Sequence, residues 1–499
     1  MHVHVGGLDF DHRAWHRDEN RRMTLTKTKL FSERVVLPGS QDNLTIAAAC
    51  IEIENDRILN VWQGDDALSR RDHSDTENLG DQLLSPAFVN THTHLGLSCL
   101  RGIGRLDRMR SNVVEEVFFR VESKLEPGDI RAFVRMGATE ALCTGTGTVW
   151  EHYYGGLEVA EALSEIGLTG VIAPTLQDIS GPGTSSLDSQ FQATEALATQ
   201  KKWADNGIVA ALGPHATDTV SDALWLEVGQ LASRLNIPIH AHVSQHIEEV
   251  QRSFALHDCA PLTRLDRLGL LNDETTFLIV HALFVSATEL DRLNPETHIL
   301  GHCPYSQAQF AFPAPIDSWL KRGLKVAIGT DCGACNDSMN VQQELRLVAD
   351  GPGLGATWSK ARLNSEASGE LAAYQALQKE RIGLYDQTAE HLSTEQLLRT
   401  VWSTPGDLHP ALPVGRIANG QLANFVLWDL NHPALWPAPD PLRALAMSDA
   451  APAIQHVMIR GEWKGERGNF ANSILQSDSH REHREEADQR LKALLKRAY

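Results

Sequence analysis

The segment Pro86-Ala-Phe-Val-Asn-Thr-His92-Thr-His94 joins an apolar run to a His-x-His pair. On a β-strand, residues i and i+2 point to one side. Two imidazoles at the end of a buried strand therefore make half of a metal site. In a chain with 22 histidines a surface pair is the competing reading. Ligand-type residues at the ends of later apolar runs weaken it. These are His215 in Gly213-Pro-His215, His240 and His242 in His240-Ala-His242, His281, His302 before Cys303-Pro304, and Asp331 after Gly329-Thr. Imidazole and carboxylate hold zinc or iron, and a catalytic site keeps one position open for water.

Such groups need elements that bring them to one place. From residue 86, apolar runs recur at Phe88–Asn90, Gly147–Glu151, Thr169–Pro174, Ile208–Gly213, Ile237–Val243, Thr276–Ala282, His298–His302 and Lys325–Gly329. Most are separated by helical segments. In one of these, Ile130, Phe133, Val134, Gly137, Ala138, Ala141 and Leu142 share a helical face, and Gly145 marks a stop. Eight β-α repeats predict an α/β fold, a (β/α)8 TIM-type barrel over residues 86–405, with the site at the C-terminal strand ends. A doubly wound sheet is the alternative, but no Gly-rich phosphate loop follows any run.

Residues 24–85 and 406–470 read as short strands, including Arg34–Leu37, Leu44–Ile53, Arg57–Trp62, Phe425–Asp429 and Ile454–Gly461. They predict a small β-sandwich domain built from both termini, with the barrel inserted between its two parts. Residues 1–23 read as an N-terminal extension. There His2 and His4 imitate the ligand spacing with no apolar strand beneath them, and Met23 would open a conventional first strand. Residues 471–499 read as a charged helix or tail, with Ala487, Leu491, Leu494 and Leu495 in a partial stripe.

The composition bounds the function class. The 499 residues are 42% hydrophobic and 22% charged, ordinary for a globular protein, and the net charge is −19. Without a basic stripe, no nucleic-acid partner is expected. No apolar run is long enough to span a membrane, and the first 22 residues lack the apolar core of a secretory signal. Seven scattered cysteines, an odd number, point to free thiols in a reducing cytoplasm. The expected partners are a small-molecule substrate and further copies of the chain, as a homodimer or higher homo-oligomer.

These motifs, with Ser306 closing His302-Cys-Pro-Tyr-Ser306 and Asn336 beyond Asp331, resemble the metal-dependent amidohydrolase superfamily. Within it they resemble the aminohydrolase/chlorohydrolase branch that includes cytosine, guanine and triazine ring hydrolases. The resemblance runs from about residue 28 to 467, and Gly415–Leu430 resembles the family's return into its small β-domain. It implies that His92, His94, His242 and Asp331 bind one divalent metal, zinc or iron. The metal would activate a water as hydroxide, Asp331 would take the water's proton, and a cationic His281 would stabilise the charge developing on an N-heterocycle that loses ammonia. His215 matches a substrate-contacting position, the competing reading being a strand-end histidine capped by backbone. His302 falls behind the ligands, and His240, two residues deeper than His242, reads as structural. Within the loop Leu95–Leu125, Arg101, Arg105 and Arg108 could steer an anionic substrate group or form a solvated face.

Three features depart from the pattern or lie outside it. The family carries His-x-x-Glu after the strand-five histidine, its glutamate shuttling a proton to the ring; here that residue is Gln245. An amide donates a hydrogen bond but transfers no proton. His246, Glu248 or Glu249 could supply the proton; or the substrate needs none, as for a hydrolytic dehalogenase or amide hydrolase; or the protein binds metal without turnover. Gln245 then orients the substrate. Cys332-Gly-Ala-Cys335 follows Asp331, and a packing role is expected over a redox or thiolate one. The segment Asp350–Gly369 reads as a lid or a tolerated surface loop.

Overall fold

The computed structural model describes residues 27–40, 43–102, 114–309, 314–356 and 359–499. The expected N-terminal extension and the arginines Arg105 and Arg108 lie outside the described residues.

All eight expected segments carry strand, in two parallel sheets. One sheet orders Gly213–Pro214, Thr169–Leu176, Thr146–Tyr153, Phe88–His94 and Asp331–Cys332, with Ile208–Ala210 beside Thr169–Leu176. The other orders Ile239–Val243, Phe277–His281, His298–His302 and Lys325–Ile328. Single bridges, Leu212 to Ile239 and Ala216 to His242, join them on one side. On the other side the chain itself passes from Lys325–Ile328 into Asp331–Cys332, where Asp331 registers against Thr93. Every residue of Thr146–Tyr153 and Thr169–Leu176 is buried. Parallel strands covered on both faces read in this way, as near-continuous apolar runs.

The expected helix forms over Pro127–Cys143, and its predicted apolar face is buried. Proline opens its first turn, and Glu126 and Asp129 cap each other's backbone reciprocally. A Cβ on Gly137 would lie 2.6 Å from Ser98 Oγ, so only glycine lets this helix close on the turn that follows His94. A Cβ on Gly329 would lie 2.6 Å from the His92 backbone nitrogen. Glycine there lets the Asp331 segment press against the first ligand strand.

The two terminal regions hydrogen-bond into one eight-stranded sheet. Phe425–Trp428 pairs antiparallel with Leu83–Pro86 on one edge and with Ile454–Ile459 on the other. The expected sandwich is thus a continuous sheet in its pairing, because these strands meet edge to edge. Its strand Leu83–Pro86 runs directly into Phe88–His94 and ties the sheet to the site.

The C-terminal helix spans Asp478–Ala498 and lies on Pro127–Cys143. Arg490 and Arg497 meet the buried Asp129, and Arg135 meets Glu486. The Arg120 guanidinium sits 4.7 Å from the Tyr499 ring centre, and Arg120 Nε donates to the Ala498 carbonyl at 3.3 Å. The segment expected as a lid or loop is helical instead. The helix Val341–Ala356 runs through its first part, and Lys360–Ser368 follows, capped by Ser359 and ended by Gly369 at φ +64°. No helix among the described residues is long and apolar enough to cross a membrane.

Candidate active site

Four ligand-type atoms converge at the strand ends. His94 Nε2 lies 3.5 Å and His92 Nε2 3.8 Å from Asp331 Oδ1, and His242 Nε2 lies 3.3 Å from His94 Nε2. Ligands at about 2.1 Å around a tetrahedral ion are about 3.4 Å apart, and these three contacts are on that scale. Ring nitrogens of His92, His242 and His281 also lie within 4.8 Å of one another.

The opposite nitrogen of each ligand ring is anchored. His94 Nδ1 donates to the His152 carbonyl at 2.5 Å and His242 Nδ1 to the His215 carbonyl at 2.6 Å. His92 Nδ1 meets His240 Nε2 at 2.8 Å. A proton on Nδ1 leaves Nε2 bare toward the centre, as metal ligation requires. The buried His92 Nε2 has no hydrogen-bond partner among the described residues. His240, read as structural, is therefore the group that orients the first ligand.

Asp331 is held as firmly. Ser306 Oγ donates to its Oδ2 at 2.7 Å and leaves Oδ1 facing the histidines. Asn90 and Thr330 exchange hydrogen bonds at 2.9 and 3.0 Å. Asn336 Nδ2 donates to the Thr330 carbonyl at 2.7 Å and to Glu344 at 2.8 Å. Burial pushes that glutamate up to about 7. Asp331 at φ +63° and His281 at φ +74° are non-glycine residues in the left-handed region. Such backbone costs free energy and persists where its surroundings enforce it.

Burial and histidine crowding keep the imidazoles neutral. Burial, then the neighbouring His94, pushes His92 well below its ordinary value, and burial first of all brings His94 and His242 to about 4. His281 is pushed far down by burial and then by His242. Gln307 Nε2 lies 3.3 Å from His281 Nδ1, and the buried His281 Nε2 has no hydrogen-bond partner among the described residues. Burial, which disfavours charge, works against the cation expected at His281. His302 lies behind it, brought to about 3 by burial, with its ring 6.0 Å from Trp319.

A cavity of about 40 Å³ opens above these groups. His94, His152, His215, His242, Gln245 and Asp331 line it, and Phe118, Phe119 and Glu122 form its opposite wall. His215 anchors His242 through its carbonyl, while its ring lies beside the cavity, with Nδ1 3.0 Å from Thr219 Oγ1 and the ring 5.5 Å from Phe119. Gln245 reaches the cavity. Glu249 does not replace the missing glutamate, because it accepts from the backbone nitrogens of Ser244 at 2.9 Å and Gln245 at 2.7 Å, and from Thr217. Burial pushes its carboxyl up to about 7. Glu248 is exposed at the start of its helix. Arg101 is turned away from the cavity, its guanidinium paired with Glu140 at the surface. Cys332 and Cys335 line the cavity as free thiols, and burial pushes both up, away from thiolate.

Sequence reasoning missed three groups. His152 is fully buried, 5.0 Å from the His242 ring, and its Nδ1 meets Thr175 Oγ1 at 3.1 Å. Its signal was available, since the second barrel-type strand continues past Glu151 to His152. Glu151 accepts from Thr93 and from the Leu95 nitrogen, holding the turn after His94. Glu122 reaches the cavity from a short helix, Phe119–Glu122, with no strand-end signal at all.

The family described as "Amidohydrolase family" matches residues 83–464. A 5-methylthioadenosine/S-adenosylhomocysteine deaminase of Natronomonas pharaonis is 30% identical over 384 residues, 76% of this chain and 80% of that protein. Among solved structures, a zinc-bound adenosine deaminase from Xanthomonas campestris has a TM-score of 0.75 at 23% identity, covering 93% of this chain and 98% of the other. Zinc-bound atrazine chlorohydrolase from Arthrobacter aurescens has a TM-score of 0.73 at 21% identity, covering 93% and 99%. These two structures share the fold. The family match spans most of the sequence, the deaminase relative agrees over the same region, and the chain belongs to the amidohydrolase family.

Proposed function

We propose that the chain is a metal-dependent aminohydrolase that removes an amino group from an N-heterocycle of purine, pyrimidine, pterin or triazine type. The observation that carries this is the gathering of the His92, His94 and His242 Nε2 atoms about Asp331 Oδ1, with contacts of 3.3–3.8 Å between neighbours, beside a cavity lined by Gln245 and Phe119. Relatives named as adenine-nucleoside deaminases support the purine choice. A divalent metal, zinc or iron, held there would supply a nucleophile at neutral pH by acidifying water.

The chain's own groups do the rest. Asp331, its Oδ2 held by Ser306, accepts the nucleophile's proton. His281 donates from Nε2 to the charge that develops on the ring, without a proton transfer. The Gln245 amide orients the ring by hydrogen bonding. Phe119 offers a face for stacking, and His215 closes the far side. Around this site, the two parallel sheets close as a (β/α)8 barrel over residues 86–405, and the terminal sheet is a separate small domain. Seven free cysteines support a reducing, cytoplasmic setting. The substrate is a small molecule, and the working form is a homo-oligomer.

Gln245 favours one second reading. A substrate with a good leaving group, or an amide, needs no ring protonation and suits a site with a glutamine there. The test is product analysis with metal-loaded protein on aminopurines, aminopyrimidines, pterins and aminotriazines, with Asp331→Ala as the blank. Ammonia above the blank supports deamination. Chloride or acid from the corresponding chloro and amide compounds, with no ammonia, transfers the site to the second reading. Metal bound with no product from any of them overturns both.

A further inference from the structure

Beside the metal pocket lies a much larger cavity of about 1060 Å³. The two share Phe119, Glu122 and Tyr154, so these side chains form a common wall. His94, His242, Gln245 and Asp331 line the small pocket, and at about 40 Å³ it has room for little beyond the reacting edge of a ring. The larger cavity begins directly across that wall.

The lining of the large cavity states what it can accept. Its polar surface is made of hydroxyls and amides, such as Ser186, Ser189 and Gln190, and of two carboxyls, Glu122 and Glu158. No lysine, arginine or histidine stands among its described lining residues. Glu158 is half-buried on the helix Gly156–Ile166 and has no salt bridge among the described residues. Glu122 is 8% exposed, and burial pushes its carboxyl up to about 8, so it presents a neutral group until a cation or a hydroxyl donor approaches. A site built from carboxyls and hydroxyls hydrogen-bonds polyols and attracts cations. An anion entering it would meet the Glu158 carboxyl with no cation among the described lining residues to offset it, at a cost that a partly screened site does not remove.

Given the aminohydrolase reading, on which this rests, we propose that the cavity beyond Phe119, Glu122 and Tyr154 is a second substrate compartment, which accepts a neutral hydroxylated or cationic extension of the heterocycle and rejects an anionic one. The charge preference is a property of this chain's own lining residues. It separates a nucleoside-like substrate with an uncharged or amine-bearing tail from one ending in a carboxylate or phosphate.

The experiment measures equilibrium binding and ammonia release for four probes with the zinc-loaded full chain: adenine, adenosine, 5′-amino-5′-deoxyadenosine and adenosine-5′-carboxylate. Adenosine and the amine are expected to bind at least roughly tenfold tighter than the carboxylate, the scale of one partly screened charge contact. Glu158→Arg should invert the amine-to-carboxylate ratio, and Glu158→Gln should narrow it. Equal binding of amine and carboxylate, or a ratio that Glu158→Arg leaves unmoved, overturns the compartment while leaving deamination standing. Charge-selective binding without ammonia release supports the compartment and overturns the deaminase reading. Binding of none of the four overturns both.

Discussion

Replacing His240 with phenylalanine should weaken metal binding without unfolding the protein. His240 Nε2 lies 2.8 Å from His92 Nδ1, both rings are fully buried, and this contact is what turns His92 Nε2 toward the site. Phenylalanine keeps the ring volume between Trp150 and His152, whose centroids are 5.9 and 5.3 Å away, so no cavity is created. What is lost is one buried hydrogen bond, leaving His92 Nδ1 unsatisfied, at a cost of about 1–3 kcal/mol. At about 1.4 kcal/mol per tenfold, zinc affinity should fall roughly 5- to 150-fold, the range usual for groups that orient a metal-bound histidine. Competition against a chelator of known affinity measures this, with circular dichroism confirming the fold. A dissociation constant within twofold of the parent protein's would refute the assignment of His240 as the holder of His92.

Three further outcomes follow from the same geometry. Gln245→Glu restores a proton-transferring group at the cavity wall and should change kcat by about 10²-fold or more for substrates that need ring protonation; unchanged kinetics across the substrate panel would show that Gln245 does not face the reacting ring. Glu151 is pushed by burial from 4.5 up to about 8, so its ionisation costs stability progressively as pH rises through that window. Glu151→Gln should therefore gain in Tm relative to the parent as pH rises from about 4.5 to about 8, and a pH-independent difference would contradict the buried, protonated carboxyl. Asp129→Ala removes the cap of Pro127–Cys143 and the anchor of Arg490 and Arg497. It should cost about 1–2 kcal/mol in urea denaturation, most of it from the cap, because the two arginines are about a third exposed.

The candidate metal-ligand set was legible because its period is short and its neighbours are apolar. His92 with His94, and His240 with His242, each show the two-residue repeat of a strand end, and Asp331 follows an apolar run as a single carboxylate. The roles within that set were less legible. His240 and His92 are 148 residues apart, and only folding shows that one holds the other. The protonation of His281 depends on burial among His242, His246 and His94, which no local pattern encodes. Arg101 invited a substrate role by its charge, yet Glu140, 39 residues later, claims it. Glu122 and Tyr154 belong to a short helix and a strand's far end, and they gain meaning only as the wall between two cavities. The terminal strands were visible by alternation, but their edge-to-edge pairing into one sheet depends on partners more than 300 residues away.

The most direct measurement is a metal titration of the metal-free protein with zinc, following ammonia release from an aminopurine. The account predicts no activity without metal, a linear rise to one equivalent per chain and a plateau beyond, with His92→Ala and Asp331→Ala silent throughout. Turnover by the metal-free protein, or activity that needs a second equivalent, would contradict a single metal held by His92, His94, His242 and Asp331.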